Sequence, residues 1–341
     1  SQSVQLYDLT LPAPLENRPK RIVIMGDTGC RLSKKHGFYQ QCNNDTLWPF
    51  AQVARSVRDY APDIILYTGD YIYRESPCPA GNNGCAGSPF GDTQATWEAD
   101  WLVPGQPLHE TAPLILARGN HETCKRVGNG WFRYLDAWPV PPTCLTSTQP
   151  WVVSFPGMQV AVVDSASVED ASGMSLAPLF TTQLDHLHSV LTTSAWIMTH
   201  RPFWGYGADD DTGELTTPTA QLRAAVSAAG LPDQAHLLVG ANINLAKVLD
   251  FGEERLPQLI AANGGTQLVS RTQAPPKAID GVEIQSSEVI YQYGFVAMEA
   301  TDDQSWMISF RDVEGDELKR CRFEEKRVFC NETIPPKSQD P

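Results

Sequence analysis

From Arg21 onward the chain is built of short apolar runs that stop at turn residues. Residues 22–25 end at Gly26, 64–67 just before Gly69, 114–117 just before Gly119, 160–163 at Asp164, 196–198 just before His200, and 237–239 at Gly240. Runs this short and continuous predict strands buried on both faces. Helix-like stretches at 47–60, 181–193 and 219–229 fall between several of them, which predicts βαβ-like alternation and a mixed α/β class. After Pro257 the β-rich stretches 289–300, 305–310 and 318–329 predict an antiparallel tail. Pro12, Pro14 and Pro19 disfavour a helix near the start, so residues 1–20 are expected as an extended arm. Residues 76–91, rich in Gly, Pro, Asn and Ser, read as a long loop stapled by a cysteine pair. With no repeat and no interdomain linker, residues 21–333 are expected as one domain and 334–341 as a flexible tail.

Composition bounds the function. At 341 residues, 42% hydrophobic and 9% aromatic, the chain can bury a sizeable core, which excludes bulk disorder. The 26 basic against 40 acidic side chains leave a net charge of −14, opposing attraction to phosphate backbones and anionic membranes. A nucleic-acid scaffold role is therefore disfavoured. No apolar run approaches the roughly 20 residues that span a bilayer, so no transmembrane segment is expected and the chain reads as soluble and already processed.

The eight cysteines fall as neighbours in sequence: Cys30 with Cys42, Cys78 with Cys85, Cys124 with Cys144, Cys321 with Cys330. None of these spacings is the roughly two-to-four-residue interval of a structural zinc site, so local disulfides are the preferred reading. Disulfides imply an oxidising compartment, hence a secreted or periplasmic protein.

Three strand ends deliver the same kind of polar group: Gly26-Asp27-Thr28-Gly29, Gly69-Asp70-Tyr71-Ile72-Tyr73 and Gly119-Asn120-His121-Glu122. His200 ends a fourth apolar run. Each block alone reads as a strand followed by a turn. If the strands are parallel, however, their ends share one sheet edge, where sites of open α/β sheets form. Two aspartates brought together there must share a proton or find a cation. With Asn, Tyr and His aimed at the same place, a pair of metal ions resolves the repulsion.

In these blocks the chain resembles the calcineurin-like metallophosphoesterases, most closely the purple acid phosphatase type. That family is described by the ordered blocks GDxG, GDxxY, GNH followed by Asp or Glu, VxxH, and GHxH. Four match, with Ile197 for Val, and an Asn263-Gly264-Gly265 turn is similar to one in bacterial members. The resemblance spans residues 21–265. It implies an α/β fold, a four-layer α/β/β/α sandwich with two mixed sheets and the site at the edge between them. It also implies a phosphatase or phosphodiesterase in which a metal-bridging hydroxide attacks a phosphorylated small molecule or another phosphoester. Asp27, Asp70 and Tyr73 would hold one metal, usually Fe(III), with Asp70 bridging to a second. Asn120 and His200 would hold that second ion, Fe, Zn or Mn. His121 would steady the phosphoryl oxygens or protonate the leaving alcohol. Arg118, beside Gly119, would clamp phosphate or pair with a carboxylate at a strand end.

The fifth block departs from the pattern. It reads Gly240-Ala241-Asn242-Ile243-Asn244, so Asn242 and Asn244 stand where two histidine ligands are expected. An amide oxygen is a neutral ligand, weaker than imidazole toward Zn or Fe(II). Three readings stay open: an engineered inactive form, a natural pseudophosphatase that binds a phosphorylated ligand or protein partner, and a variant with altered metal preference and reduced occupancy. His186 and His188 imitate the His-x-His spacing, but they lie in a predicted helix, where residues two apart diverge, and are expected on the surface. His36 and His109 lie in loops, where solvation competes with a place in a substrate cleft.

Overall fold

The computed structural model describes residues 4–6, 9–168, 175–208, 215–216, 219–271, 275–301 and 305–330. The expected tail at 334–341 and the end of the expected domain at 331–333 lie outside them. In chain order the principal elements are β1 (Arg21–Met25), α1 (Phe50–Tyr60), β2 (Ile64–Tyr67), β3 (Leu114–Leu116), β4 (Trp151–Phe155), β5 (Met158–Val163), α2 (Ala177–Val190) and β6 (Ala195–Thr199). They continue with α3 (Ala220–Ala229), β7 (Ala235–Gly240), β8 (Ala246–Asp250), β9 (Gln258–Ala261), β10 (Ser286–Ile290), β11 (Phe295–Ala300), β12 (Trp306–Arg311), β13 (Glu317–Glu324) and β14 (Arg327–Phe329). In the expected extended arm, Val4–Leu6 and Leu9–Leu11 pair antiparallel.

Two seven-stranded sheets carry the fold, ordered β14-β13-β12-β11-β1-β2-β3 and β10-β8-β9-β7-β6-β5-β4. Both are mixed. β1, β2 and β3 run parallel in the first sheet, and β5, β6, β7 and β9 run parallel in the second. The remaining pairings are antiparallel.

Period-two alternation on strands buried on both faces makes the layers. Ile22 and Ile24 of β1 point between the sheets, where they join Val160, Met198, Val239 and Trp306. Val23 and Met25 point outward to Phe50, Val53 and Val57 of α1. On the second sheet, Ala161, Ile197 and Leu238 face Leu184 and Leu187 of α2 and Leu222 of α3. The result is the four-layer α/β/β/α sandwich that the family resemblance implies. α1 earns its place through Phe50, Val53, Ala54, Val57 and Tyr60, spaced along one helical face, and it stops at Ala61, whose φ of 53° lets its N–H cap the Val57 and Arg58 carbonyls.

The tail differs from the expectation of one antiparallel unit. The stretch 289–300 splits: β10 pairs with β8 in the second sheet, while β11 pairs with β1 and β12 in the first. The crossing ends at Gly294, whose φ is 154° and where a Cβ would fall 1.8 Å from the Arg311 carbonyl oxygen, so only glycine fits. The four cysteine pairs expected from spacing are all disulfides in the structure. Among the described residues no helix is long and apolar enough to cross a membrane.

Candidate metal centre

The parallel strands of both sheets point their C-terminal ends at one edge, and the polar blocks gather there. Asp27, Asp70, Asn242 and Asn244 sit at φ of 53°, 59°, 70° and 47°. Asp and Asn are the non-glycine residues that best tolerate this left-handed backbone, so each block turns sharply and lifts its side chain to the edge. Gly119 is needed for the close approach of two blocks, because a Cβ there would lie 2.1 Å from the Asp70 amide nitrogen. The turn at Asn263 closes over the first block: Gly264 N–H donates to the Gly26 carbonyl at 3.1 Å and Thr266 N–H to the Asp27 carbonyl at 2.9 Å.

Asp27, Asp70 and His200 each offer one ligand atom, and the three atoms lie within 4.8 Å of one another. All three residues are buried. Tyr73 Oη donates to Asp70 Oδ2 at 2.7 Å and lies 3.5 Å from Asn244 Oδ1. His200 Nε2 is 2.9 Å from Asn120 Oδ1 and 3.3 Å from Asp70 Oδ2. The structure thus brings Asp27, Asp70, Tyr73, Asn120, His200 and Asn244 together, with Asn242 in the lining of the same cleft. The rings of His121 and Tyr73 stack at 3.7 Å.

The donor chemistry fits a cation. Both carboxylate oxygens of Asp27 are buried and accept no hydrogen bond of normal geometry among the described residues. Burial, then the charges of Asp70 and Glu122, push its carboxyl well above the usual range, while the backbone N–H groups of Asn242 and Asn244 face it and temper the shift. Burial also pushes Asp70 up, but His200, His121 and the His121 N–H outweigh it and hold that carboxyl far below the usual range. Tyr73 is raised by burial and then by both aspartates. A buried carboxylate without a hydrogen bond of normal geometry, beside a second one, is a costly arrangement that a bound cation relieves.

Above these residues opens a cleft of about 190 Å³. Arg31, His36, Glu75, His121, Arg126 and Asn244 contribute to its walls. His121 Nδ1 lies 2.9 Å from Glu75 Oε1, and Arg126 Nη1 lies 3.0 Å from the same oxygen. Sequence reasoning left Arg31, Glu75 and Arg126 unassigned. The available signal was adjacency, since Arg31 follows the first block and Glu75 the second.

Arg118 is corrected by the structure. It is 2% exposed and absent from the cleft lining, so it is not placed to clamp phosphate. Its guanidinium donates to the Glu122 and Leu145 carbonyls at 3.0 and 2.8 Å and pairs with Asp164 at 3.4 Å, at the end of β5. The carboxylate pairing is the alternative the structure realises. His186 and His188 are exposed on α2, as expected, and His109 packs edge-on against Trp101 away from the cleft.

Glu122 and Asp100 are the supports that sequence reasoning missed. Glu122 accepts the backbone N–H groups of Asp70, Tyr71, Ile72 and Gly119 at 2.8 to 3.1 Å, which locks the second and third blocks to each other. Burial and the Asp70 charge push its carboxyl up to about 8 against the pull of those donors. Asp100 accepts the Cys30 and Tyr73 N–H groups at 3.1 and 2.9 Å and pairs with Arg74 at 2.5 Å, bracing the first two blocks from below.

Comparison with solved structures places this architecture. A purple acid phosphatase, PPD1 from yellow lupin (Lupinus luteus) seeds, is similar with a TM-score of 0.58 at 13% identity, over 93% of this chain and 56% of that one. This chain therefore spans little more than half of the lupin protein. PhoD is similar at 0.61 and 11% identity, over 96% of this chain and 74% of that one. GAP50, the anchor in the inner membrane complex of Plasmodium, is similar at 0.52 and 10% identity, over 91% and 90%. At these identities the likeness concerns the fold. No curated protein matches the sequence. The model of the calcineurin-like phosphoesterase family matches residues 20–218, which includes the first four of the five blocks, and the chain belongs to that family.

Proposed function

We propose that the chain is a cation-dependent phosphoester hydrolase, acting on a phosphorylated small molecule or a comparable phosphoester in an oxidising compartment, secreted or periplasmic. The observation that carries this reading is Asp27, a buried carboxylate with no hydrogen-bond partner of normal geometry, set beside Asp70 and His200. Asp27, Asp70 and Tyr73 would hold one cation, and Asp70, Asn120 and His200 a second. Bound cations there would lower the pKa of water and neutralise charge developing on the phosphoryl group.

The chain's own residues supply the rest. His121 stacks on Tyr73 with Nδ1 turned to Glu75, which leaves Nε2 on the Asp70 side, 4.0 Å from Oδ2. With the Nδ1 proton held toward Glu75, Nε2 carries a proton only in the imidazolium form, in which it would donate a hydrogen bond to a phosphoryl oxygen or a proton to the leaving alcohol. Arg31 and Arg126 place positive charge in the cleft wall, which favours a phosphoryl anion over a neutral ligand. The four disulfides support the oxidising compartment.

A second reading rests on Asn242 and Asn244: a chain without the two histidine ligands binds a phosphorylated ligand or protein partner and does not turn it over. Metal analysis of the purified chain with assays on p-nitrophenyl phosphate and bis-p-nitrophenyl phosphate separates the two. Bound metal with turnover supports hydrolysis. Retained phosphate binding without turnover, at every metal loading, supports the binding protein.

A further inference from the structure

Two basic segments contribute to the cleft above the cation centre. Residues 31–36 read Arg-Leu-Ser-Lys-Lys-His, and no acidic residue occurs between Asp27 and Asp45, in a chain of net charge −14. This segment belongs to a hairpin in which Leu32–Ser33 pairs antiparallel with Phe38–Tyr39. The Cys30–Cys42 disulfide closes it, and the Leu32 N–H donates to the Tyr73 carbonyl at 3.0 Å, which fixes the hairpin against the second block. Arg31, Ser33 and His36 line the cleft from this side. Ser33 is 2% exposed, and its hydroxyl has no hydrogen-bond partner among the described residues. An acceptor on a ligand would recover the cost of burying that hydroxyl. The second segment, Lys125 and Arg126, follows Cys124 of the Cys124–Cys144 disulfide. Arg126 lines the same cleft with Nη1 on Glu75, and a guanidinium carries five donors, which leaves others for a ligand.

Charge balance then bears on the substrate. Cations held by Asp27, Asp70 and His200 would offset the charge of one phosphoryl group, so the guanidiniums of Arg31 and Arg126 exceed what a single group needs. The cleft, at about 190 Å³, is smaller than the roughly 300–1,000 Å³ of sites that enclose a drug-sized ligand, so it takes a compact charged end of a molecule. Building on the phosphoesterase reading, we propose that Arg31, Ser33 and Arg126 form a second anion subsite beside the cation centre. The substrate then carries a second phosphoryl group close to the one cleaved, as in an organic diphosphate or a vicinal bisphosphate. Guanidinium groups meet phosphoryl oxygens with paired N–H donors, and Ser33 adds a hydroxyl that is already desolvated. Both segments are tied by disulfides, so binding orders little that is not ordered already.

The test is calorimetric titration of the full chain with inorganic phosphate and, separately, with inorganic pyrophosphate. The wild type should bind pyrophosphate at least about tenfold more tightly than phosphate. Arg31→Met and Arg126→Met should each lower that ratio about three- to tenfold, and Ser33→Ala should lower it less. Pyrophosphate also binds metal ions; the variants control for this, because they leave Asp27, Asp70 and His200 in place. Arg31 is buried and its replacement can unsettle the hairpin, so the half-buried Arg126 gives the second, independent reading. A wild-type ratio near one, no binding of pyrophosphate, or a ratio that either folded arginine variant leaves unchanged overturns the inference and leaves the phosphoesterase reading standing. A wild-type chain that binds neither anion and turns over no p-nitrophenyl phosphate overturns both.

Discussion

The Nδ1 atom of His200 lies 2.9 Å from the carbonyl oxygen of Thr68. A carbonyl only accepts, so this contact fixes the imidazole proton on Nδ1 and turns the lone pair of Nε2 toward Asp70 and Asn120, which also present oxygens. Three lone-pair-bearing atoms facing one another call for a cation or a proton between them. Thr68 is itself held firmly: its hydroxyl donates to the Met25 carbonyl at 3.0 Å and the Ala261 carbonyl at 3.2 Å, so the residue that orients His200 also ties the first sheet to the second.

Asp27→Asn tests whether the centre stores strain for a cation. The raised carboxyl of Asp27 means that the cation-free fold loses stability as pH climbs from the ordinary carboxylate range through the folded-state value, because the folded state holds the proton more tightly than the unfolded chain. The variant should be more stable than the wild type by about 1–3 kcal/mol at neutral pH without metal, and should show a smaller rise in melting temperature than the wild type on adding Mn2+. Thermal unfolding with and without metal checks both halves.

Glu122→Gln should be costly although its shape is nearly unchanged. The carboxylate accepts four backbone N–H groups, and an amide NH2 would face two of them with further donors. A loss of about 2–4 kcal/mol is expected in urea unfolding, together with weaker metal binding, because the second and third blocks lose their common anchor.

Arg118→Met should lower stability by about 3–5 kcal/mol, since it removes the only cation paired with the buried Asp164 among the described residues and the donors to the Glu122 and Leu145 carbonyls. Phosphate affinity should be unchanged in the folded protein, because the guanidinium does not reach the cleft. A calorimetric titration with inorganic phosphate showing a large loss of affinity would return Arg118 to the binding site.

Lys247, on β8, is buried, with Nζ 2.6 Å from the Tyr206 carbonyl and 3.1 Å above the Tyr206 ring. Burial lowers its amine to about 7. Between that value and the ordinary lysine value of about 10.4, the unfolded chain binds the proton and the folded chain does not, so stability rises with pH across this window. Urea midpoints at pH 7 and pH 9 should show the rise in the wild type and a flatter profile in Lys247→Met.

Much was legible in the chain because it is local. A strand buried on both faces is written as an unbroken apolar run, so 22–25, 64–67 and 160–163 announced β1, β2 and β5 without reference to their neighbours. Cysteines that pair across 7 to 20 residues are joined by loops short enough to be read from spacing. The polar groups at Asp27, Asp70 and Asn120 follow the same logic, since each sits in the turn that ends its own strand.

What the chain alone left open depended on partners far away in sequence. The run 289–300 has one character throughout, yet β10 and β11 belong to different sheets, a choice made by the registers Ala246 to Ile290 and Ile24 to Val296. Arg118 could face either phosphate or a carboxylate until the fold set Asp164 beside it, 46 residues on. Glu122 became an anchor only when its strand end met the N–H groups of Asp70, Tyr71 and Ile72, about 50 residues earlier. The sequence by itself determined the strands, the turns and the kinds of polar group they carry, because those are fixed by residues next to one another. Tertiary structure alone decided which of those groups meet, because hydrogen bonds and charges reach only a few ångströms and the chain brings those partners together only through sheet register and the packing of two sheets.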